Sequence, residues 1–267
     1  MSWGVSHLRV AFDGRPALRG VDLTVSPGEI RSVIGGDGAG KTTLLRVLAG
    51  QDLGQGGDVR VPDARRLGYV PATGGVFADL TVNENMAFVA EVFGLSGWRE
   101  RAGELLEAAG LARFGTRPAA SLSGGQGRKL AGTMALLGRP ELLVLDELTT
   151  GVDPVSRMEL WRMVSAAAGS GTAVVMATSY LDEAERTDGV LLLHEGRALA
   201  SGTPSEVQAS IPGWVEESDH PGERARSWRR GRTWRIWHPG SPGERSIGWT
   251  LEDAAIVLEM VAEGVGS

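Results

Sequence analysis

The chain has 267 residues, 42% of them hydrophobic and 22% charged, with a net charge of −6. Such a composition is neither disordered nor fibrous and suffices for one large α/β domain with an appendage. The lack of cysteine excludes disulfide frameworks and thiolate metal sites, and the acidic balance gives no general attraction to nucleic acid.

Residues 3 to 34 predict short strands. Leu8-Val10-Phe12 and Val21-Leu23-Val25 alternate with polar residues, and FDGRP and SPGE mark turns. EIRSVIG predicts a strand entering a glycine loop. TTLLRVLAG then predicts a helix with an apolar stripe of Leu44, Leu45, Val47 and Leu48, stopped at Gly50. Strand pieces are expected around Val59–Val61 and Leu67–Val70.

The texture changes at residue 81. TVNENMAFVAEVFGL and WRERAGELLEAAGL read as amphipathic helices, the first with Thr81 and Glu84 at capping-box spacing. They belong to a helical insert at about 76–138. From 141 strands and helices alternate: LLVLD, RMELWRMVSAAA, TAVVMAT, LDEAERT and GVLLLH. That order predicts a mainly parallel sheet covered on both faces.

Beyond Ser205 the texture changes again. Residues 212 to 250 hold five of the eight tryptophans, and TLEDAAIVLEMVAEG closes the chain as a helix. RARSWRRGRTWRIWHPG has two readings: cations and stacking rings for nucleic acid, or a small β-appendage with tryptophans packed inward. The acidic chain favours the second. His194 ends a strand with no neighbouring ligands and reads as structural. No run approaches the ~20 apolar residues of a membrane span, and MSWGVSHLRVAFDGR has no signal-peptide core, so the cytoplasm is the expected location.

Three stretches carry chemistry. Gly35, Gly36, Asp37, Gly38, Ala39, Gly40, Lys41, Thr42 and Thr43 fit the phosphate-binding pattern G-x-x-x-x-G-K-[ST], between a strand and a helix as that pattern requires. Glycines let the backbone wrap a polyphosphate, and the helix start adds oriented N–H groups. Lys41 supplies a charge for the terminal phosphates and Thr42 a hydroxyl for Mg2+. Second, LLVLDE delivers Asp146 and Glu147 at the end of an apolar strand, where ligands sit in open parallel sheets. Asp146 suits a metal and Glu147 an attacking water. Third, Ser123, Gly124, Gly125 and Gln126 of LSGGQ form a second anion-binding helix start.

In this order the motifs resemble the ATP-binding cassette (ABC) ATPases over about residues 5–205. The resemblance implies a P-loop fold of ABC type, with an antiparallel N-terminal part and a helical subdomain at about 76–138. Residues 206–267 would be a C-terminal accessory region. It implies ATP and Mg2+ as ligands and Glu147 as the catalytic residue, with Thr42 and Asp146 at the metal. It also implies a second ATPase subunit that meets LSGGQ head to tail, membrane permease subunits, and a place on the inner face of the cell membrane. Phe12 lies where an aromatic stacks on adenine, and Asp153 of GVDP matches the loop that crosses the dimer interface. The wording GDGAGKTTL, LTVNEN and TTGVDPVSR is most similar to the ATPases of multidrug and antibiotic exporters. ABC ATPases that act on nucleic acid or ribosomes usually have two cassettes or a long coiled-coil insertion, and this sequence has neither.

Two departures stand out. Ala72 replaces the glutamine the family usually places after GYVP, and Ser179 replaces the histidine after MAT. Gly36, Asp37 and Leu148 are smaller departures. Alanine can neither ligate a metal nor accept a hydrogen bond, and serine is too short to reach as an imidazole does. The expectation is therefore intact Mg-ATP binding with slow turnover in the chain's own site. A regulatory subunit that completes a partner's site through LSGGQ is the alternative.

Overall fold

The computed structural model describes residues 1–241 and 246–265. The elements run β1 (Trp3–Phe12), β2 (Arg15–Val25), β3 (Ile30–Ile34), α1 (Lys41–Leu48), β4 (Gly56–Arg60) and β5 (Leu67–Val70). Helices α2 (Val82–Val92), α3 (Trp98–Ala108) and α4 (Gly124–Leu136) follow. Then come β6 (Leu142–Asp146), α5 (Pro154–Gly169), β7 (Ala173–Ala177), α6 (Leu181–Ala184), β8 (Gly189–His194), β9 (Arg197–Gly202) and α7 (Pro204–Ala209). The chain ends with β10 (Trp214–Ser218), β11 (Ser227–Arg230), β12 (Thr233–His238) and α8 (Leu251–Ala262).

The central sheet has six strands in the order β5-β6-β7-β3-β8-β9. Its pairs are parallel except β8 with β9. A smaller antiparallel sheet, β2-β1-β4, covers one face together with α1. The α/β fold with an antiparallel N-terminal part is thus the one expected. Val61 is the exception in detail, lying just past β4.

Strand periodicity explains the two-sided core. Leu142 and Val144 of β6, with Ala173 and Val175 of β7, face the α1 side. Leu143, Leu145, Val174 and Met176 point the other way, into the layer of α4 and α5. Alternate side chains leave opposite faces of a strand, so the whole of LLVLD must be apolar until its last residue. The two helices of the insert form as expected. Thr81 accepts from the Glu84 N–H while the Glu84 carboxylate accepts from the Thr81 N–H, a complete capping box at the start of α2.

The C-terminal residues form a three-stranded antiparallel sheet, β10-β12-β11. Trp237 is buried there, and its indole donates to the Pro212 carbonyl. Trp228 and Trp249 pack against the same small core. Residues 242–245 and 266–267 of the expected accessory region lie outside the described residues, and α7 runs across position 205. Helix α8 lays Leu251 and Ala255 against Val190 and Leu192 of β8. Among the described residues no helix is long and apolar enough to cross a membrane.

One ion pair fastens this appendage. Asp253 is fully buried, pairs with Arg230 at 3.3 Å, and accepts from the Trp228 indole. It also closes the capping box of α8 with Thr250. Breaking a buried pair costs about 3–5 kcal/mol, and the part-exposed Arg230 puts this site at the low end. Asp253→Ala is expected to lose about 3 kcal/mol in urea unfolding followed by tryptophan fluorescence. A loss under about 1 kcal/mol would show that the pair does not hold the appendage.

Candidate nucleotide site

The loop from Gly35 to Gly40 joins β3 to α1, and its shape depends on two glycines. Gly35 has φ 141° and Gly40 φ 107°. A Cβ on Gly35 would lie 2.0 Å from the Leu193 carbonyl oxygen, and one on Gly40 would lie 2.8 Å from that of Ala17. Other residues cannot occupy either place without moving backbone.

The helix that follows starts differently from its neighbours. No side chain caps α1, and its first turn contains no acidic residue. Helices α2, α4, α5, α7 and α8 are capped by side chains, and α3 and α6, which are not, carry acidic residues in their first turns. Free N–H donors and the positive end of the helix dipole therefore face the loop. The Lys41 ammonium folds back on the loop and donates to the carbonyls of Gly35 at 2.7 Å and Gly36 at 3.0 Å. A cavity of about 200 Å³ lies over this start, lined by Ala17, Asp37, Gly38, Ala39, Gly40, Lys41, Thr42, Thr43 and Glu147.

Asp146 and Glu147 leave β6 in different environments. Asp146 is fully buried, and neither carboxylate oxygen has a hydrogen-bond partner of good geometry among the described residues. Burial pushes its carboxyl above the usual range, the Thr42 hydroxyl pulls it down, Glu147 pushes it up again, and Lys41 and Arg128 oppose. A buried, unpaired carboxylate beside a hydroxyl fits a hard cation that takes its remaining ligands from phosphate and water. Thr42 and Asp146 could hold Mg2+ on these grounds.

Glu147 has φ 51°, a left-handed conformation that few non-glycine residues adopt. Its N–H donates to the Ala177 carbonyl at 3.1 Å, which holds the turn. Such strain costs of order 1–3 kcal/mol and collects at functional sites. Here it turns the side chain into the cavity. The Ser179 hydroxyl donates to Glu147 Oε1 at 3.4 Å, and Ala72 is exposed on the loop after β5.

The second helix start stands apart from this cavity, whose lining contains none of Ser123, Gly124, Gly125 and Gln126. Ser123 and Gln126 close a capping box on α4. Gly125 lies against the first turn of α5, where an added Cβ would meet the Ser156 hydroxyl at 2.7 Å. Asp153 caps α5, and the Ser156 N–H and hydroxyl hold its carboxyl below the usual range. LSGGQ and GVDP are thus neighbours on one face. Phe12 is exposed at the end of β1, outside the cavity lining.

Sequence reading missed a buried carboxylate behind the site. Glu183 on α6 is fully buried and accepts from Thr178 at 2.6 Å, Thr149 at 2.9 Å and Arg157 Nε at 2.6 Å. It joins the segments after β6 and β7 to α5. The only signal in the sequence was a glutamate on the inward side of the short LDEAERT helix.

A cleft bounded by an uncapped helix start, a lysine and two strand-end carboxylates defines a P-loop nucleotide-binding protein. Residues 18–150 match the family described as ABC transporter. The chain is 39% identical to a probable multidrug ABC transporter ATP-binding protein of Escherichia coli, YbhF, over 82% of this chain and 41% of that protein. It is 34% identical to the Nod factor export ATP-binding protein I of Cupriavidus metallidurans, over 75% of this chain and 71% of that one. The daunorubicin/doxorubicin resistance ATP-binding protein DrrA of Streptomyces peucetius is 37% identical, over 77% of this chain and 66% of its own length. A solved ATP-binding subunit of an ABC transporter superposes with a TM-score of 0.69 at 27% identity, covering 78% of this chain and 92% of that structure. The chain spans under half the length of the first of these relatives, and it belongs to the ABC transporter family.

The Asp146 shift has a stability consequence in metal-free protein. A carboxyl whose pKa is raised on folding disfavours the native state above the unfolded value, and the penalty fades as pH falls through the ordinary carboxylate range. Asp146→Asn is therefore expected to raise the melting temperature at pH 7, with the gain shrinking toward pH 4. An equal gain at both values would remove burial of the charge as the cause.

Proposed function

We propose that this chain binds ATP with Mg2+ and couples ATP binding and hydrolysis to export by separate membrane subunits. The observation that carries the reading is the uncapped start of α1 facing the Lys41 loop, with Glu147 turned into the same cavity. Bound there, the cation would neutralise phosphate charge. Lys41 and the N–H groups of α1 hold the terminal phosphates, Thr42 and Asp146 are the metal ligands, and Phe12 packs on adenine. Glu147 orients the attacking water and accepts its proton. The names of the relatives, multidrug, daunorubicin/doxorubicin resistance and Nod factor export, support an exporter.

The partners follow from two surfaces. The face shared by Ser123–Gln126 and Asp153 meets the nucleotide site of a second ATPase subunit. The groove between the Ala72 loop, α2 and α4 receives a permease at the inner face of the membrane. Phe77 and Phe88 stack edge to face there with centroids 4.5 Å apart, and both are exposed, as is Val92. Pockets of exposed aromatic and aliphatic side chains suit a docking partner.

The chain's own site is slow in this reading. Its Ser179 hydroxyl is engaged with Glu147 rather than projecting as an imidazole would, and Ala72 offers no side-chain ligand. Loss of one transition-state contact costs a factor of ~10²–10³. The intact Ser123 start favours a second reading, a regulatory subunit that completes the site of a more active partner.

Lys41→Ala is expected to abolish ATP binding measured by titration, and equal undetectable binding by wild type would end the nucleotide reading. Ala72→Gln with Ser179→His is expected to raise turnover of the chain alone by at least tenfold, towards the ~10 s⁻¹ of a typical enzyme. In a mixed dimer, Gly124→Asp lowering turnover more than Glu147→Gln would identify the regulatory subunit. Wild-type turnover already near ~10 s⁻¹ would show the two substitutions to be harmless.

A further inference from the structure

Another cavity, of about 850 Å³, lies between α3, the turn from α4 into β6, and α5. It shares no lining residue with the cavity over the start of α1. Leu105, Leu136 and Ala167 are buried at its apolar wall, with Met163 half-buried beside them. Protein interiors hold few voids larger than a water molecule. Clefts of roughly 300–1,000 Å³ with apolar walls and a few placed polar groups suit small ligands.

Three arginines and three glutamates also line this cavity, and their pairing leaves one sign of charge spare. Glu104 pairs with Arg101 at 3.3 Å, Glu159 with Lys129 at 2.8 Å, and Glu141 with Arg66. Arg139 and Arg162 are exposed and pair with no carboxylate among the described residues; Arg162 meets only the Met158 sulfur, at 3.7 Å. The spare charge is therefore positive. Arg139 stands in the turn that ends α4 with φ 52°, a left-handed place that glycine or asparagine takes at less cost. An arginine there brings a cation to the cavity against its backbone preference.

We propose that this cavity binds a small amphipathic organic anion. Its rings or chain lie along Leu105, Leu136 and Met163, and its acid group meets Arg139 and Arg162. Guanidinium suits the task because its planar fork holds two oxygens of one acid group. A neutral ligand of the same shape gains the apolar wall but leaves both guanidinium groups unpaired. The occupant bridges α3 to α5 and so ties the helical insert to the layer on the central sheet. Because it binds the folded chain, the melting temperature rises with its concentration.

The test is titration of the full chain with two fluorescent probes, anilinonaphthalene sulfonate and phenylnaphthylamine, which is the same ring system without the acid group. Wild type is expected to bind the sulfonate saturably and about tenfold more tightly than the neutral probe. Arg139→Ala with Arg162→Ala should weaken the sulfonate about tenfold or more, as for loss of charged hydrogen bonds, and leave the neutral probe within about twofold. Ala166→Trp, which fills the cavity from α5, should weaken both probes, and saturating Mg2+ with ATP should change neither. Should the double alanine variant not fold by its melting curve, Arg139→Gln with Arg162→Gln is read by the same ratio of the two probes. Absence of saturable sulfonate binding, equal affinity for the two probes, or affinity untouched by the arginine or tryptophan substitutions would overturn the proposal. Displacement by ATP would put the probe in the Lys41 cavity and overturn it as well.

Discussion

Strands β6 and β7 are buried on both faces, so a polar side chain can leave them only past their C-terminal ends. That constraint organises the site. Asp146 and Glu147 follow Leu145, Thr178 and Ser179 follow Ala177, and the glycine loop follows Ile34 of β3, which lies beside β7 in the sheet. Three parallel strands thus release their polar residues at one edge. The arrangement needs parallel strands, because an antiparallel neighbour would put its own end at the opposite edge.

The polar edge then has to be held still, and Glu183 does this from beneath. Its carboxylate binds the hydroxyls of Thr149 and Thr178 and the guanidinium of Arg157, one from each segment that borders the site. Arg157 also pairs with Asp182 and lies 4.2 Å from the Tyr180 ring centroid. A buried charge is tolerated when it is paired and its oxygens are occupied, and here the pairing ties α5 to the loop of Ser179. Because Asp153 caps that same helix, a shift of the GVDP turn would be carried to the residues around Glu147. The left-handed turn at Glu147 persists in this setting because its neighbours on both sides are fixed.

Much of this was legible in the sequence, for reasons that can be named. The glycine loop was readable because Gly35 and Gly40 meet backbone that excludes any side chain, so the pattern has little freedom to vary. The helix start at Thr81 was readable because a cap and its partner lie three residues apart. Arg128 and Glu183 were not. Their partners lie 56 residues away at Ala72 and up to 34 away at Thr149, and no local pattern links them. The inward packing of Trp228 and Trp237 was open between two readings for the same cause: their partners, Asp253 and the Pro212 carbonyl, each lie 25 residues away.

Charge balance gives the site its final character. Asp37, Glu147 and Asp146 bring three carboxylates to one small region, while Lys41 is the one cation in the cavity lining among the described residues. A polyphosphate adds more negative charge, so the loop's N–H donors, Lys41 and a bound cation must together offset it. Arg128 belongs to α4, the helix whose start faces away toward the neighbouring subunit in the proposed assembly. Its hold on the Ala72 carbonyl makes the loop after β5 part of the same unit.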